Sequence, residues 1–438
     1  MRILVSGGGF VGTYAALRLE QRLPAGSGHE VVLVNPENFL QYQPFLPEAA
    51  SGNIEPRHVV VPLREVLRHT RLVVGEVESI DHDARRARIR TLADDGPLDL
   101  DYDALVLAPG SVSRVLPVPG LADRAIGFKT IAEAIHLRNV VLSRLEAAAD
   151  TSDAAHRRAL LTFVFVGGGY AGVEALAELE DLARAALRRY PELDGVPPRW
   201  VLVEAAGSIL PELDAGLARY AQALLARRGI DIRLETRLES ADSGVMRLSD
   251  GDAFAAETLV WTTGVRPHPV TAHAGLPVDA QGRVRTDDHL RATDADGTPI
   301  PGAWAAGDSA AVPDPATGRP CPPTAQHALR QARCLADNLV ATIEGRPLRR
   351  FRYRNRGQLV SLGRYRGVAQ LPGRIRIRGF WAWWLHRTYH LAMMPTVNRR
   401  VRIALAWTVT LLFPRDITAL GSLQRPRDAF TRAAERVS

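Results

Sequence analysis

Cysteine is scarce in this chain: Cys321 and Cys334 are the only two among 438 residues. Their spacing fits neither a redox pair nor a zinc site, so both read as free thiols. Long apolar runs are missing as well. The longest, Ile403 to Phe413, is about half the ~20 residues that a membrane-spanning helix needs, and Arg402 and Pro414 bound it. Met1-Arg2 leads straight into a strand-like run, without the features of a secretory leader, so no signal peptide is expected. Acids are nearly absent from the C-terminal part. From Arg346 to Ser438 there are 20 Arg against three acids (Asp416, Asp428, Glu435), a balance of +17, while the rest of the chain carries −10. Charge divided in this way points to an anionic partner for the basic part. Low-complexity tracts are absent, and the one internal repeat is a duplicated structural plan. Hydrophobic residues at 46% and charged residues at 24% are those of an ordinary folded protein, long enough for two or three domains.

What is present is a glycine pattern, twice. Gly7-x-Gly9-x-x-Gly12 follows the apolar run Ile3-Leu4-Val5, and Gly167-x-Gly169-x-x-Gly172 follows Phe163-Val164-Phe165-Val166. Three glycines at this spacing mean little alone. Between a strand and a helix they mark a dinucleotide site: the first permits a tight turn, the second lets the backbone approach a pyrophosphate, and the third lets helix and strand pack closely. The phosphates then lie at the helix N-terminus. Two such sites suggest two bound dinucleotides and electron transfer between them.

The surrounding pattern agrees. Strands are predicted over 3–6, 31–34, 103–107, 162–166 and 200–203, with helices over 10–22, 131–149 and 171–189. A polar stretch over 149–158 leads into the second unit. Alternating strands and helices argue for an α/β fold with parallel sheets. The strand after the second glycine turn ends at Glu204, an acid that can accept ribose hydroxyls and repel a 2′-phosphate, which favours NAD. The first unit has Asn35 in that place, with Glu37 nearby. Phe351 to Leu371 alternates apolar and charged residues, as half-exposed strands do. From Arg378 the pattern turns helical and aromatic (Phe380, Trp381, Trp384, Leu385, Tyr389, then Val401, Leu405, Val409, Leu412). Trp and Leu faces interleaved with Arg fit an interfacial membrane helix better than a nucleic-acid surface, and no nucleic-acid partner is expected. His386 and His390 have helical spacing but no third ligand, so they read as aromatic packing and no metal site is expected.

With these residues in view, the chain resembles the type II NADH dehydrogenases, the non-pumping NADH:quinone oxidoreductases of the two-dinucleotide flavoprotein superfamily. The segments that carry the resemblance are Gln43-Pro44-Phe45-Leu46, Gly167 through Glu174, Trp261-Thr262-Thr263-Gly264, Gly302-x-Trp304-Ala305-Ala306-Gly307-Asp308 and Pro322-Pro323-Thr324-Ala325-Gln326. It implies two Rossmann-like domains, one for FAD (1–118 and 286–345) and one for NAD (119–285). A C-terminal strand and amphipathic-helix region (346–438) would dock on the membrane. By resemblance FAD meets Gly7, Gly9, Phe10, Gly12, Asn35, Glu37, Gln43, Pro44, Ala108, Gly110, Gly307, Asp308, Thr324, Ala325 and Gln326. NAD(H) meets Gly167, Gly169, Tyr170, Gly172, Glu174, Glu204 and Gly264. Thr324 is expected to cap a helix, and Gln326 and Arg330 to meet the quinone, menaquinone or ubiquinone.

Glu174 and Gln326 are the expected catalytic pair. Glu174 would either relay a proton to the reduced quinone or only shape the nicotinamide pocket, and the residues leave both open. The implied protein is a peripheral enzyme of the respiratory chain on the cytoplasmic face of the membrane, bound to anionic lipid through its basic tail, with a homodimer possible. The rival readings are a soluble NAD(P)H reductase of a protein partner and a redox-sensing flavoprotein. A sulfide:quinone oxidoreductase fits less well, because no cysteine pair stands near the first glycine turn. Three departures from the family pattern stand out. Asn35 replaces an acid, Ala-Pro-Gly at 108–110 replaces Ala-Thr-Gly, and Arg330 takes the place of the second Gln of Ala-Gln-x-x-x-Gln, with Gln331 one residue late.

Overall fold

The computed structural model describes residues 1–93, 96–420 and 431. The chain forms two compact units, each assembled from three segments. The first comprises Met1–Gln41, Val60–Arg114 and Val265–Asn355; the second comprises Tyr42–Val59, Val115–Gly264 and the chain from Arg356 on. These limits differ from the expected ones. The residues from Arg346 on do not stand apart as a region of their own: their first ten fold with the first unit, and the chain from Arg356 folds with the second.

The first unit is built on an eight-stranded sheet. Its centre runs Pro299–Ala305, Ala104–Leu107, Arg2–Ser6, Glu30–Asn35, Arg71–Asp81, each parallel to the next. Antiparallel strands Arg291–Thr293, Arg86–Thr91 and Leu98–Asp101 extend its edges. Ile3, Leu4, Val5, Leu105, Val106 and Leu107 are wholly buried, as the continuous apolar runs of a parallel sheet covered on both faces should be. The helices Phe10–Arg22 and Ala325–Ile343 pack on one another, and Arg18 of one pairs with Asp337 of the other at 2.8 Å.

The second unit repeats the plan with a five-stranded parallel sheet, ordered Ala125–Gly127, Thr258–Trp261, Thr162–Val166, Arg199–Val203, Ile230–Arg233. The helix Ile131–Asp150 begins at a capping box, in which the Thr130 hydroxyl accepts the Glu133 amide and the Glu133 carboxylate accepts the Thr130 amide. The polar stretch after it is not only a linker: Asp153 caps a short helix, Ala154–Leu160.

The C-terminal part folds as an antiparallel sheet, Gln358–Ser361, Gly367–Leu371 and Ile375–Arg378, followed by the helices Phe380–Met393 and Val397–Leu412. Strand structure therefore starts later than the alternation from Phe351 implies; Gly357, at φ +101°, turns the chain into the first strand. The single helical pattern after Arg378 is broken in two at Met394-Pro395, because proline cannot donate to a helix that would run through it. Among the described residues no helix is long and apolar enough to cross a membrane.

Candidate cofactor sites

Both glycine turns have the same construction. Gly7 and Gly167 take φ +102° and +116°, where a side chain would be strained. A Cβ on Gly12 would lie 1.7 Å from the Gly7 carbonyl oxygen, and one on Gly172 would lie 2.0 Å from that of Gly167. The protein's own backbone thus demands glycine at these four positions. Gly9 and Gly169 are different. Each sits at the N-terminus of its helix with ordinary φ, and a Cβ there would meet nothing within 4 Å. Open space against a helix N-terminus, where backbone amides point outward, suits a bound anion such as a pyrophosphate.

The strand ends beside the turns differ in one respect. Glu204 accepts the Gly168 amide at 2.5 Å through one oxygen and the Ala206 amide at 2.7 Å through the other. Asn35 accepts the Gly8 amide at 2.7 Å but donates its other end to the Glu37 carbonyl at 2.7 Å. Asparagine keeps the acceptor that braces the turn without adding a charge. The Glu37 side chain is exposed.

Elsewhere in the first unit, Ser111 donates to Asp308 at 2.5 Å, and the Gln331 side chain accepts the Gly307 amide at 2.7 Å. Gly307 and Asp308 line a cavity of about 420 Å³, together with Arg114, Arg266, Arg283 and Pro323. One carboxylate can hold hydroxyls and the cationic lining can meet phosphates, as the polyol and pyrophosphate of FAD require, although Arg283 is itself paired with Asp279 at 2.7 Å. Thr324 caps the helix Ala325–Ile343 by accepting the His327 amide. Tyr353 donates to the Gln326 side chain at 3.2 Å and stacks on His327, ring centroids 3.7 Å apart. Arg330 donates to the Gln326 carbonyl at 2.6 Å, over the Tyr353 ring. Burial pushes His327 down to about 4, so the ring is neutral at pH 7 beside this helix N-terminus. Gly110 takes φ +78°, and Ala108 is buried against the first turn.

In the second unit Glu174 is buried. It accepts the Ser361 amide at 2.8 Å and lies 3.2 Å from Nε2 of His386. His386 packs edge-on against His390, whose Nδ1 is 3.0 Å from the Tyr42 hydroxyl. Burial, with His386 beside it, holds His390 well below the usual histidine range. Two further acids are buried nearby in the fold. Glu48 meets Arg387 at 2.9 Å and the Trp407 indole N–H at 2.7 Å. Glu178 accepts from Ser51, Asn53 and Ser361; burial raises its pKa, opposed by Arg415 at 3.7 Å.

Residues 1–332 match the family described as pyridine nucleotide-disulphide oxidoreductase. The chain belongs to that family. Among its relatives is a type II NADH:quinone oxidoreductase of Mycobacterium tuberculosis, 29% identical over 94% of this chain and 89% of that protein. Another is a demethylphylloquinone reductase of Synechocystis, 30% identical over 93% of this chain and 95% of that protein. The fold is that of the structure of NDH2 from Plasmodium falciparum in complex with NADH, with TM-score 0.86 and 16% identity over 95% of this chain and 99% of that one. This pyridine nucleotide-disulphide oxidoreductase is an α/β enzyme that uses FAD and NAD(H).

Despite the family's name, both cysteines of this oxidoreductase are free, and burial pushes each thiol up to about 11. The first unit gathers Gly7, Gly9, Phe10, Gly12, Asn35, Ala108, Gly110, Gly307, Asp308 and the cluster Thr324, Ala325, Gln326, Arg330. The second gathers Gly167, Gly169, Tyr170, Gly172, Glu174, Glu204 and Gly264, together with Gln43 and Pro44, which lie in a 3-10 turn over Gln43–Phe45. Sequence reasoning missed Ser111, Gln331, Tyr353 and His386 as partners of these residues. Gln331 was visible as a glutamine one place late; its fixed contact is the Gly307 amide. The buried acids Glu48 and Glu178 carry no local signal, because only tertiary packing takes them from water.

Proposed function

We propose that this chain is a type II NADH:quinone oxidoreductase in which the first unit holds FAD, the second binds NADH, and a membrane quinone is the final acceptor. One observation carries the reading: the turn is built twice, and in each copy the middle glycine faces open space that nothing in the protein requires. Bound FAD would supply the two-electron redox chemistry that links NADH to the quinone.

The residues of the chain bind, orient and supply protons. Glu204, braced by two amides, presents a carboxylate to the adenosine ribose of NADH and disfavours a 2′-phosphate. Asp308, fixed by Ser111, takes the polyol hydroxyls of FAD, and the amides after Gly9 take its pyrophosphate. The N-terminus of the helix Ala325–Ile343, with neutral His327 in its first turn, favours negative charge at the cofactor edge. Gln326 and Arg330 are the residues that meet the quinone. Glu174, with His386 at 3.2 Å, relays a proton to the reduced quinone.

The C-terminal helices dock the enzyme on the cytoplasmic face of the membrane. Val397, Val401, Leu405 and Val409 form an exposed stripe at four-residue spacing, and Trp381 and Trp384 are exposed on the preceding helix. Such a stripe, flanked by arginines each worth about 1 kcal/mol at an anionic surface, binds without spanning. The test is an absorbance spectrum of the purified protein before and after anaerobic NADH, then after a short-chain quinone. NADH should bleach the yellow band and quinone should restore it. A preparation that stays colourless with added FAD, or a band that NADH leaves unchanged, ends the reading.

A further inference from the structure

The C-terminal end of the helix Tyr170–Leu187 opens on a second concavity, in the second unit and distinct from the glycine turns. Its volume is about 760 Å³, and five arginines line it: Arg184, Arg188, Arg189, Arg364 and Arg415. They come from three separate segments: the end of that helix, the turn before Gly367–Leu371, and the chain after Leu412.

Two of the five are already engaged. Arg184 is paired with Glu180, and Arg415 lies 3.7 Å from Glu178. Asp181, the one acid of the lining, is 3.0 Å from Arg228 and accepts the Arg364 amide. Among the described residues, Arg188 and Arg189 meet no carboxylate, and Arg364 spends its guanidinium on the Thr410 carbonyl and the Tyr365 ring. A helix C-terminus accommodates a cation or two. It does not account for Arg364 and Arg415, brought to the same hollow from other segments. Three guanidiniums short of anions around one hollow suit a phosphate, which their planar forks bind in pairs.

The rest of the lining is apolar, through Ala185, Pro414 and Ile417. Next to it the chain exposes Leu411, Leu412 and Phe413, the last two at 73% and 62%. A free phosphate has no use for such neighbours, whereas an amphipathic anion has.

We infer that this concavity seats the phosphate headgroup of an anionic phospholipid, with the acyl chains along Leu411 to Phe413. The inference rests on the membrane-docking reading and deepens it: the enzyme selects anionic lipid at a built site rather than by overall charge. The experiment measures partition of the flavin-loaded full chain onto vesicles of phosphatidylcholine alone and of phosphatidylcholine with phosphatidylglycerol, at low salt. Wild type should prefer the anionic vesicles. R188Q/R189Q should weaken that binding on the order of 30-fold, leave binding to phosphatidylcholine unchanged, and leave NADH oxidation with a soluble acceptor unchanged. R219Q/R227Q removes the same charge from the exposed face of the helix Ala215–Arg227 and should cost less than about 3-fold.

Equal losses in the two double variants, or wild-type binding by R188Q/R189Q, overturn the site while membrane docking stands. Displacement from the vesicles by millimolar inorganic phosphate makes it a soluble-anion site and overturns the lipid assignment. A wild type that binds neither vesicle overturns the docking reading itself.

Discussion

Glu204 accepts the Gly168 amide at 2.5 Å through one oxygen and the Ala206 amide at 2.7 Å through the other, so one carboxylate braces the second glycine turn; in the proposed function it also meets the ribose of NADH. Replacing it with Ala removes a charged hydrogen-bond acceptor, worth about 1.5–3 kcal/mol. KM for NADH should rise by about ten-fold or more with kcat little changed, and the preference for NADH over NADPH should narrow. Steady-state kinetics with both nucleotides decides this; an unaltered preference removes Glu204 from cofactor selection.

Gly9 and Gly12 should part company. Gly9→Ala meets nothing in the protein, so the flavin-free form should melt within a few degrees of wild type while flavin affinity falls at least ten-fold. Gly12→Ala drives a Cβ to 1.7 Å from a carbonyl oxygen and should give little folded protein. Flavin content by absorbance, with thermal melts of the stripped protein, separates the two. If Gly9→Ala retains full flavin affinity, the open space at this turn is not a phosphate site.

Glu174→Gln keeps the Ser361 amide contact but cannot carry a proton. In stopped flow, reoxidation by quinone should slow by about ten- to a hundred-fold, with bleaching by NADH changed much less. Equal slowing of both phases would leave Glu174 a pocket-shaping residue.

Arg387 and Glu48 form a buried pair, 2.9 Å apart. Arg387→Leu strands the carboxylate and should cost about 3–5 kcal/mol, read as a lowered denaturant midpoint. The double variant E48L/R387L should recover much of that loss. If it is no more stable than R387L, the stranded charge is not the cause.

His327 has a folded pKa of about 4 against the ordinary 6.5. A group depressed in this way binds its proton first in the unfolded chain, so its stabilisation is complete above 6.5 and is lost as pH falls toward 4. The groups around it are Thr324, Arg330, Asp314 and Tyr353; Asp314 opposes the shift and Arg330 adds to it. Urea unfolding at pH 7 and pH 4.5 should show wild type losing about 2–3 kcal/mol more than His327→Asn. Parallel losses would mean that the ring charges freely in the folded state.

Much of this architecture is legible in the amino-acid sequence. The two glycine turns, the strands that feed them, Glu204 at its strand end and Thr324 as a helix cap are local features, set by backbone sterics and by hydrogen bonds within a few residues. The break at Pro395 is equally local, although the apolar pattern runs on across it.

Other features had no local signature. In the sequence Gln331 is a glutamine one place late for a motif, and only the fold brings it to the Gly307 amide. Asn35 departs from the family pattern in sequence, yet its geometry reproduces the amide contact that Glu204 makes. The amino-acid sequence by itself determined that two dinucleotide folds are present and which turns hold them, because a tight turn at positive φ admits little but glycine. Tertiary structure alone decided which acids lose their water, which histidines meet them, and that the chain from Arg356 completes the second unit. Those outcomes depend on contacts between residues more than a hundred positions apart, such as Glu174 with Ser361 and Glu48 with Arg387, and no periodicity in the chain encodes them.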